Sequence, residues 1–231
     1  FFLIIFYGNS LSQKKSTTDS LYQESLVKQG SAQLNVFFQL AALYKDSSLS
    51  LSFEYSKKAL TLSFQLKNDQ ARARALLSMS FFDFLRYKMH QSSQYLSQAL
   101  IIYKTLGDST GVAKSYVQEG LIKWRQGKLN SALKSYLSAL KLFKISNDLE
   151  GIANSLNYIG LVYWKRGDYP QALKNLIASL QIKNDIGNKY EIGLTLNNIG
   201  KLYNELKSYQ KSIGYSEQAL VLSDLIANKY I

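Results

Sequence analysis

The strongest constraint on the fold is a dipeptide that returns at a fixed interval along the chain. Alanine followed by leucine recurs every forty residues, at Ala59-Leu60, Ala99-Leu100, Ala139-Leu140 and Ala219-Leu220, and Ser179-Leu180 fills the remaining place. The same interval separates three glycines, Gly120, Gly160 and Gly200. Self-similarity at a fixed period is the signature of repeat architectures. The chain is therefore predicted to be an array of similar units.

Within one repeat, the apolar residues are spaced as on two helices. Leu156, Ile159 and Tyr163 lie at offsets of three and seven residues, which places them on one helical face. Gly167 is expected to end this helix, and the segment Asp168–Pro170 to begin the next with proline in its first turn. Each repeat is therefore predicted to be a helical hairpin. Five hairpins are expected near residues 32–66, 69–105, 109–145, 149–185 and 189–226.

Small residues at fixed places within the repeat have a steric explanation. Gly160 on the first helix and Ala172 on the second let the two backbones approach closely, so that larger neighbours interdigitate around them. A single hairpin cannot bury its own apolar stripe, whereas stacked hairpins share one continuous core. We therefore expect the two helices of this repeat to touch at Gly160 and Ala172.

The fourth repeat resembles the tetratricopeptide repeat family in its longer, forty-residue form. The family's signature positions are filled by Leu156, Ile159, Gly160, Tyr163, Gly167, Tyr169, Ala172, Leu176 and Ser179. The first two repeats are divergent, with Leu40 and Ser80 where the family has glycine. The resemblance implies an all-α fold, a right-handed α-solenoid of stacked antiparallel helix hairpins. Its repeats would span residues 31–70, 71–110, 111–150, 151–190 and 191–231, and they are expected to continue beyond residue 231.

The first thirteen residues resemble the end of a secretory signal peptide. Seven apolar residues, Phe1–Tyr7, precede small and polar ones, and cleavage is expected near Ser10–Gln13. Residues 1–13 are interpreted as the remnant of a signal peptide or of a membrane anchor, the alternative being a buried first strand or helix. Residues 14–30 are predicted to be a linker and a short capping helix, Asp19–Lys28. This start favours an extracytoplasmic location, periplasmic or membrane-tethered, over the cytoplasm.

The side-chain inventory offers little for catalysis. Cysteine is absent and His90 is the single histidine, so thiol nucleophiles, cysteine zinc sites and paired imidazole sites are excluded. No phosphate-binding glycine motif occurs, and the carboxylates recur at no common spacing. The sequence predicts no enzyme, no cofactor and no metal site, although a catalytic domain elsewhere in a longer protein is compatible with it.

The charge is strongly basic, with 28 lysines and arginines against 16 acidic residues and a net charge of +12. Only five of the basic residues are arginines, whose planar guanidinium suits phosphate and base recognition. Five basic residues never follow one another directly. This distribution favours a solvated, lysine-rich surface. The alternative function is a nucleic-acid-binding or regulatory repeat domain in the cytoplasm that uses the basic surface.

The family resemblance also implies that the first helix of each hairpin lines a concave groove. Asn157 and Asn197 resemble asparagines that hold a peptide backbone in related arrays, the alternative being that they only tolerate a polar face. Trp124 and Trp164 are either aromatic anchors or, as we favour, packing residues between repeats. The groove residues are predicted to be Arg74, Phe81, Lys114, Trp124, Asn154, Asn157, Trp164, Lys165, Asn197, Lys201 and Asn204.

These observations predict a protein interaction scaffold that binds a partner peptide or domain in its groove. Lys114, Lys165 and Lys201 favour an acidic partner. The signal-like start followed by repeats resembles the sensory halves of membrane-bound histidine kinases and of transcriptional regulators, which implies the extracytoplasmic repeat region of a signalling protein. A membrane contact is expected only through the N-terminal anchor or through a span beyond residue 231.

Overall fold

The structure is a computed structural model that describes the backbone of residues 8–45 and 47–228, and the side chains of residue 17 and of residues 19–45 and 47–225. In these ranges every regular element is a helix. The helices are α1 (Gly8–Val27), α2 (Gly30–Tyr44), α3 (Leu49–Gln65), α4 (Asp69–Leu85), α5 (Met89–Thr105), α6 (Ser109–Arg125), α7 (Leu129–Ile145), α8 (Leu149–Lys165), α9 (Tyr169–Ile186), α10 (Lys189–Glu205) and α11 (Tyr209–Asn228).

The ten helices predicted for the five hairpins, α2 to α11, are confirmed, and their ends lie within two residues of expectation. Within the two units the predicted partners pack on each other, α2 on α3, α4 on α5, α8 on α9 and α10 on α11. Polar side chains set where the first helices begin. The side-chain oxygens of Asn68, Asp148 and Asn188 each accept a hydrogen bond from the backbone N–H three residues later. These capping residues are separated by forty residues or by a multiple of forty. The first helices therefore begin at the same period as the sequence repeat.

Helix ends keep the same period even where glycine is replaced. A residue with positive φ recurs every twenty positions, in the turn that follows each helix from α3 to α10. Glycine suits this left-handed conformation, as at Gly127, where φ is 74°. Asn147 adopts it with a φ of 52°, and so do three larger residues. The turns of the divergent repeats therefore have the backbone of the regular ones.

The chain divides into two compact units, an N-terminal unit of residues 1–122 and a C-terminal unit of residues 123–231. In the described part of the N-terminal unit, consecutive helices from α1 to α5 pack on one another. Leu34 and Phe38 of α2 join Ala59 of α3 and Ala75 of α4 in one buried cluster. Small residues at the helix crossings let the larger ones of α2 fill the space between three helices.

Helix α1 is longer than the predicted capping helix over Asp19–Lys28. It begins at Gly8. The polar segment after Gly8 contains no proline, so nothing in it stops the helix that starts from the packed C-terminal part from extending toward the N-terminus. Leu21 lies in that packed part and contacts the cluster of Val36, Leu40 and Tyr55. Residues 1–7, on which the signal or anchor interpretation depends, lie outside the described residues. Within the described ranges, no helix has both the length and the apolar character needed to cross a membrane.

In the C-terminal unit, consecutive helices from α7 to α11 pack on one another. Ala172 and Leu176 of α9 share a buried cluster with Ile199 and Leu202 of α10. The predicted close approach is confirmed at Gly160, where a β-carbon would lie 2.8 Å from Leu176 Cγ and 3.2 Å from the carbonyl oxygen of Ala172. The backbone of the first helix at Gly160 therefore lies directly against the Leu176 side chain and the Ala172 carbonyl of the second helix.

Candidate partner-binding faces

The first helices of the C-terminal unit, α8 and α10, carry most of the predicted groove residues. Asn157 and Trp164 of α8 are half-buried, whereas Asn197, Lys201 and Asn204 of α10 are exposed. Spacings of four and seven residues place each set on one side of its helix. Asn154 on α8 is half-buried and Lys165 at its end is exposed. We call the side formed by Asn157, Trp164, Asn197, Lys201 and Asn204 the α8–α10 face.

Asn157 has an unusual polar environment. Its Oδ1 atom is buried and accepts no hydrogen bond within the described part of the protein. An orphaned buried acceptor costs about 1–3 kcal/mol, and such atoms are uncommon in folded proteins. The side chain as a whole is half-buried, and rotation about χ2 exchanges the positions of its oxygen and nitrogen, which brings the oxygen out of its buried position. The carboxamide is therefore available to both a donor and an acceptor on a ligand.

Trp164 is a packing residue that also bridges two first helices. Its ring packs against the cluster containing Ile199 and Leu202. Its indole Nε1–H donates to Glu205 Oε2 of α10 over 2.7 Å. Among the described side chains no ring pair joins Trp164 to Trp124, which is half-buried near the end of α6. The hydrogen bond to Glu205 ties α8 to α10 beside the exposed Asn204.

The N-terminal unit contains a cavity of about 780 Å³ between its own first helices. Two predicted residues, Arg74 of α4 and Lys114 of α6, lie on its lining. Phe81 is not part of it and instead packs its ring against Phe82 and Phe84, with the Lys45 ammonium 5.0 Å from the Phe81 ring centre. We call this space the α2–α4–α6 cavity. Its lining comprises Ser31, Leu34, Asn35, Phe38, Asn68, Gln70, Ala71, Arg74, Leu77, Ser78, Tyr103, Asp108, Thr110, Gly111 and Lys114.

Short contacts fix the polar groups of this cavity. The Arg74 guanidinium carbon lies over the Phe38 ring, 4.1 Å from its centre, a cation–π contact that holds the cation against the wall. Asp108 Oδ1 accepts from the Gly111 backbone N–H over 2.8 Å, and its Oδ2 accepts from Gln70 Nε2 over 2.6 Å. Both oxygens of the carboxylate therefore already have donors.

Tyr103 forms part of the same wall from α5. Burial, with a smaller effect from the charge of Asp108, raises the pKa of its hydroxyl to about 12. The Tyr103 ring packs on Gly111, where a β-carbon would lie 2.2 Å from a ring carbon. This contact sets the approach of α5 to α6 and therefore the width of the cavity on that side.

The sequence did not single out three polar residues of the cavity, Asn35, Gln70 and Asp108. Asp108 caps the start of α6 through its contact with the Gly111 N–H, and this local role gives no indication of its second contact, with Gln70 of the preceding repeat. Asn35 lies in a divergent repeat, where the family pattern gives little guidance. In the residues described by the structure, no group of three or more histidine, cysteine or acidic side chains is placed to hold a metal ion.

Comparison with known proteins identifies the repeat. Family models described as tetratricopeptide repeat match residues 151–222 and 113–144. Among solved structures, BtubC from P. vanneervenii is 16% identical with a TM-score of 0.70, covering 93% of this chain and 90% of that one. A Rap protein complexed with competence and sporulation factor is 13% identical with a TM-score of 0.70, covering 96% and 73%. Curated protein sequences gave no significant match.

A third similar structure is a signal transduction ATPase with numerous domains from Pyrococcus horikoshii, which has a tetratricopeptide repeat sensor. It is 19% identical with a TM-score of 0.70, and the match covers 86% of this chain and 30% of that one. At these identities the likenesses establish the fold alone. They support the all-α helical-hairpin solenoid, while its right-handed sense stays a prediction.

Proposed function

Because this chain is a tetratricopeptide repeat protein, we propose that it is an interaction scaffold whose α8–α10 face binds an extended segment of a partner protein. The observation that carries the proposal is the orphaned Oδ1 of Asn157. An extended peptide has backbone N–H and C=O groups that lack partners within its own chain. The Asn157 carboxamide matches this need with one acceptor and two donors.

Asn197 extends the same chemistry to the next repeat. It stands forty residues after Asn157, on the exposed side of α10, so the two carboxamides occupy equivalent places on successive first helices. The exposed Lys201 follows one turn later, and Lys165 lies at the end of α8. Neither ammonium forms an ion pair among the described side chains. Their charge favours a partner segment that carries carboxylates.

The proposed setting is the extracytoplasmic repeat region of a signalling protein. The apolar run at residues 1–7 supports export, and the similar fold of a repeat sensor in a signal transduction ATPase supports a sensory role. An alkaline phosphatase fusion to the native N-terminal segment tests the first part. Enzyme activity in the periplasm is expected because this enzyme is active only after export. Activity confined to a cytoplasmic reporter fused at the same place would refute export.

Affinity capture with a double variant tests the binding face. Asn157→Ala with Asn197→Ala should weaken partner binding by about 1–3 kcal/mol, because two carboxamides that hold a desolvated backbone are removed. The matched control is Asn130→Ala with Asn184→Ala, which removes two exposed asparagines from second helices α7 and α9. The control should capture the same partners as the parent protein. An unchanged partner set for the Asn157 and Asn197 variant would place the binding site elsewhere.

A thermal melt of each variant separates binding from folding. Asn157→Ala removes an acceptor that has no partner in the free protein, so the free energy of unfolding should stay the same or rise slightly. A large fall in the melting temperature would mean that the asparagine is structural. Binding to single-stranded DNA that falls steeply with salt and is unaffected by the double variant would instead favour the basic surface as the functional site.

A further inference from the structure

The two classes of turn in the C-terminal unit differ in charge. Three stretches contain the turns from the first helix of a hairpin to the second, 123–131, 163–171 and 203–211, and they hold seven basic and two acidic residues. The stretches 143–151 and 183–191, which join one hairpin to the next, hold three basic and four acidic residues. Six basic residues of the first class are exposed: Arg125, Lys128, Lys165, Arg166, Lys207 and Lys211.

The three basic turns lie at one end of the unit. The rings of Tyr136 on α7 and Tyr158 on α8 stack with their centres 5.1 Å apart. The start of α7 and the end of α8 are each seven residues from this stack. Because a short turn reverses the chain between these packed helices, both lie about 10 Å from the stack on the same side. The hydrogen bond from Trp164 to Glu205 joins the end of α8 to the end of α10. We call the end formed by the three stretches the basic edge.

The two acidic residues of the basic edge already accept hydrogen bonds within the protein. Asp168 caps α9 by accepting from the Gln171 backbone N–H over 3.2 Å. Glu205 accepts the indole N–H that ties α8 to α10. Among the described side chains, Lys128 and Lys207 form no ion pair. The charge of these lysines is therefore left for an anionic partner.

The side chains of the basic edge suit the headgroup layer of a membrane. Most of its exposed cations are lysines, which act as hydrated point charges and need no fixed partner geometry. Tyr209 is 59% exposed and Leu206 is 36% exposed in the same edge. Tyrosine is enriched where membranes meet water, and clustered cations are attracted to anionic lipid. The edge thus combines charge for lipid phosphates with amphipathic surface for the interface.

Single-stranded nucleic acid, a different polyanion, fits the basic edge less well. Its binding sites use open aromatic rings on which bases stack. The Arg166 guanidinium carbon lies over the Tyr163 ring, 5.8 Å from its centre. The Lys211 ammonium lies over the Tyr203 ring, 5.3 Å from its centre, and the Tyr203 ring also stacks on Tyr215. Because protein groups already cover these rings, the arrangement favours a lipid surface.

We propose that the basic edge of the C-terminal unit docks on a membrane surface that contains anionic lipid. Lys128, Arg166 and Lys207, one from each turn, meet the lipid phosphates, and Tyr209 lies at the level of the headgroups. Docking of this kind needs no helix that crosses the bilayer. It is separate from the anchors that the sequence predicts before and after the repeats, and it does not depend on the α8–α10 face.

Vesicle binding by the full chain tests the proposal. The parent should bind vesicles of mixed phosphatidylglycerol and phosphatidylcholine more tightly than vesicles of phosphatidylcholine alone. Lys128→Gln with Arg166→Gln and Lys207→Gln should lower the partition coefficient on the anionic vesicles roughly hundredfold. Residues 1–7 are the same in both proteins, so the difference measures the edge. Equal binding of parent and variant would overturn the proposal.

A charge-matched control separates the basic edge from the general positive charge. Lys141→Gln with Lys144→Gln and Lys189→Gln removes three exposed cations of the same unit from outside the edge. This control should bind the anionic vesicles within about threefold of the parent. Losses as large as those of the edge variant would mean that only net charge matters, and would overturn the proposal.

A fluorescent label shows which end of the unit meets the bilayer without removing any cation. The chain contains no cysteine, so one introduced cysteine carries an environment-sensitive dye to a chosen place. Gln126→Cys puts the dye in the basic edge and Asn184→Cys puts it near the other end of the unit, both at exposed positions. Anionic vesicles should shift the emission to the blue at position 126 and leave it unchanged at 184. A shift at 184, or at neither position, would overturn the proposal.

Two further measurements complete the test. If the edge variant lost binding to single-stranded DNA but bound vesicles as the parent does, the edge would be a nucleic-acid site and the membrane proposal would be wrong. The Asn157→Ala, Asn197→Ala protein should bind vesicles as the parent does. Loss of vesicle binding in that variant alone would refute the basic edge and leave the α8–α10 proposal intact. Circular-dichroism melts confirm that each variant is folded.

Discussion

Two junctions between successive hairpins of the C-terminal unit are built at equivalent positions from opposite chemistry. Where α7 meets α8, the ring of Phe143 lies on Gly151, and a β-carbon on that glycine would be 2.4 Å from a ring carbon. Forty residues later, where α9 meets α10, the same two positions hold Lys183 and Glu191. The Lys183 ammonium donates to Glu191 Oε2 over 2.8 Å and to Thr195 Oγ1 over 3.0 Å.

The repeat geometry therefore tolerates either a close apolar contact or an ion pair with a buried ammonium at this junction. The Phe143 contact is stabilised by close packing, because the flat ring occupies the space that a side chain at Gly151 would fill. The Lys183 side chain is only 4% exposed, whereas that of Glu191 is 32% exposed. The ammonium therefore loses most of its water and depends on its two acceptors. Such a pair contributes little net stability but is costly to break from one side.

Among the substitutions at these two junctions, Gly151→Ala should cause the largest loss of stability. The new methyl group would overlap three atoms of the Phe143 ring, at 2.4–2.6 Å, so α7 and α8 must move apart. We expect a loss near the upper end of the about 1–3 kcal/mol that overpacking costs. Gly193→Ala on α10 is the matched control, because nothing lies within 4 Å of its β-carbon position. The control should be about 0.5–1 kcal/mol more stable than the parent. Urea unfolding of both variants measures the difference, and equal stabilities would show that the glycine contact is not tight.

At the junction of Lys183 and Glu191, substitutions of the two partners should change the free energy of unfolding by different amounts. Glu191→Gln removes the charge that faces the buried ammonium and should cost about 1–2 kcal/mol, a value reduced by the partial exposure of the glutamate. Lys183→Met replaces the ammonium by an apolar chain of similar length and leaves Glu191 in contact with water. It should change the stability by less than about 1 kcal/mol, because Thr195 Oγ1 still donates to the Glu191 carbonyl oxygen. Equal losses in the two variants would refute the asymmetry.

The helices were predictable from the sequence, because cap, turn and apolar stripe all repeat at one period. Asn68 and Asp148, for example, are residue types that favour the N-cap position of a helix, and both cap a helix in the structure. The Lys183–Glu191 pair was missed, although the sequence holds a signal for it. At the first of the two positions the repeats carry Tyr103, Phe143 and then lysine, and at the second two glycines and then glutamate. When an aromatic residue at the first position and a glycine at the second are replaced together by a basic and an acidic residue, the two positions are expected to be in contact.

The candidate sites were less predictable, since they depend on distances between repeats. Arg74 and Lys114 were expected on one groove, and both line the α2–α4–α6 cavity. The orphaned oxygen of Asn157 and the bond from Trp164 to Glu205 follow from side-chain geometry, which the repeat pattern leaves open. The divergent first repeats hid the cavity, because its floor at Phe38 and its carboxamide at Asn35 fall outside the family's signature positions.

Alkaline pH distinguishes a tyrosine junction from a phenylalanine junction, with the smallest expected effect. In the N-terminal unit Tyr103 packs on Gly111 as Phe143 packs on Gly151, and burial raises the pKa of Tyr103 from 10 to about 12. The folded state therefore holds this proton more tightly than the unfolded chain. The resulting stability is fully present below pH 10 and is lost as the pH rises through 12. At pH 11 the loss amounts to about 1 kcal/mol.

Tyr103→Phe should match the parent at pH 8 and lose less stability than the parent at pH 11, because phenylalanine has no proton to release while the other buried tyrosines are the same in both proteins. Tyr190→Phe, at a side chain that is 65% exposed, controls for the loss of a hydroxyl. If urea unfolding of Tyr103→Phe and of the parent fell equally between the two pH values, the hydroxyl of Tyr103 would not be buried at the α5–α6 junction.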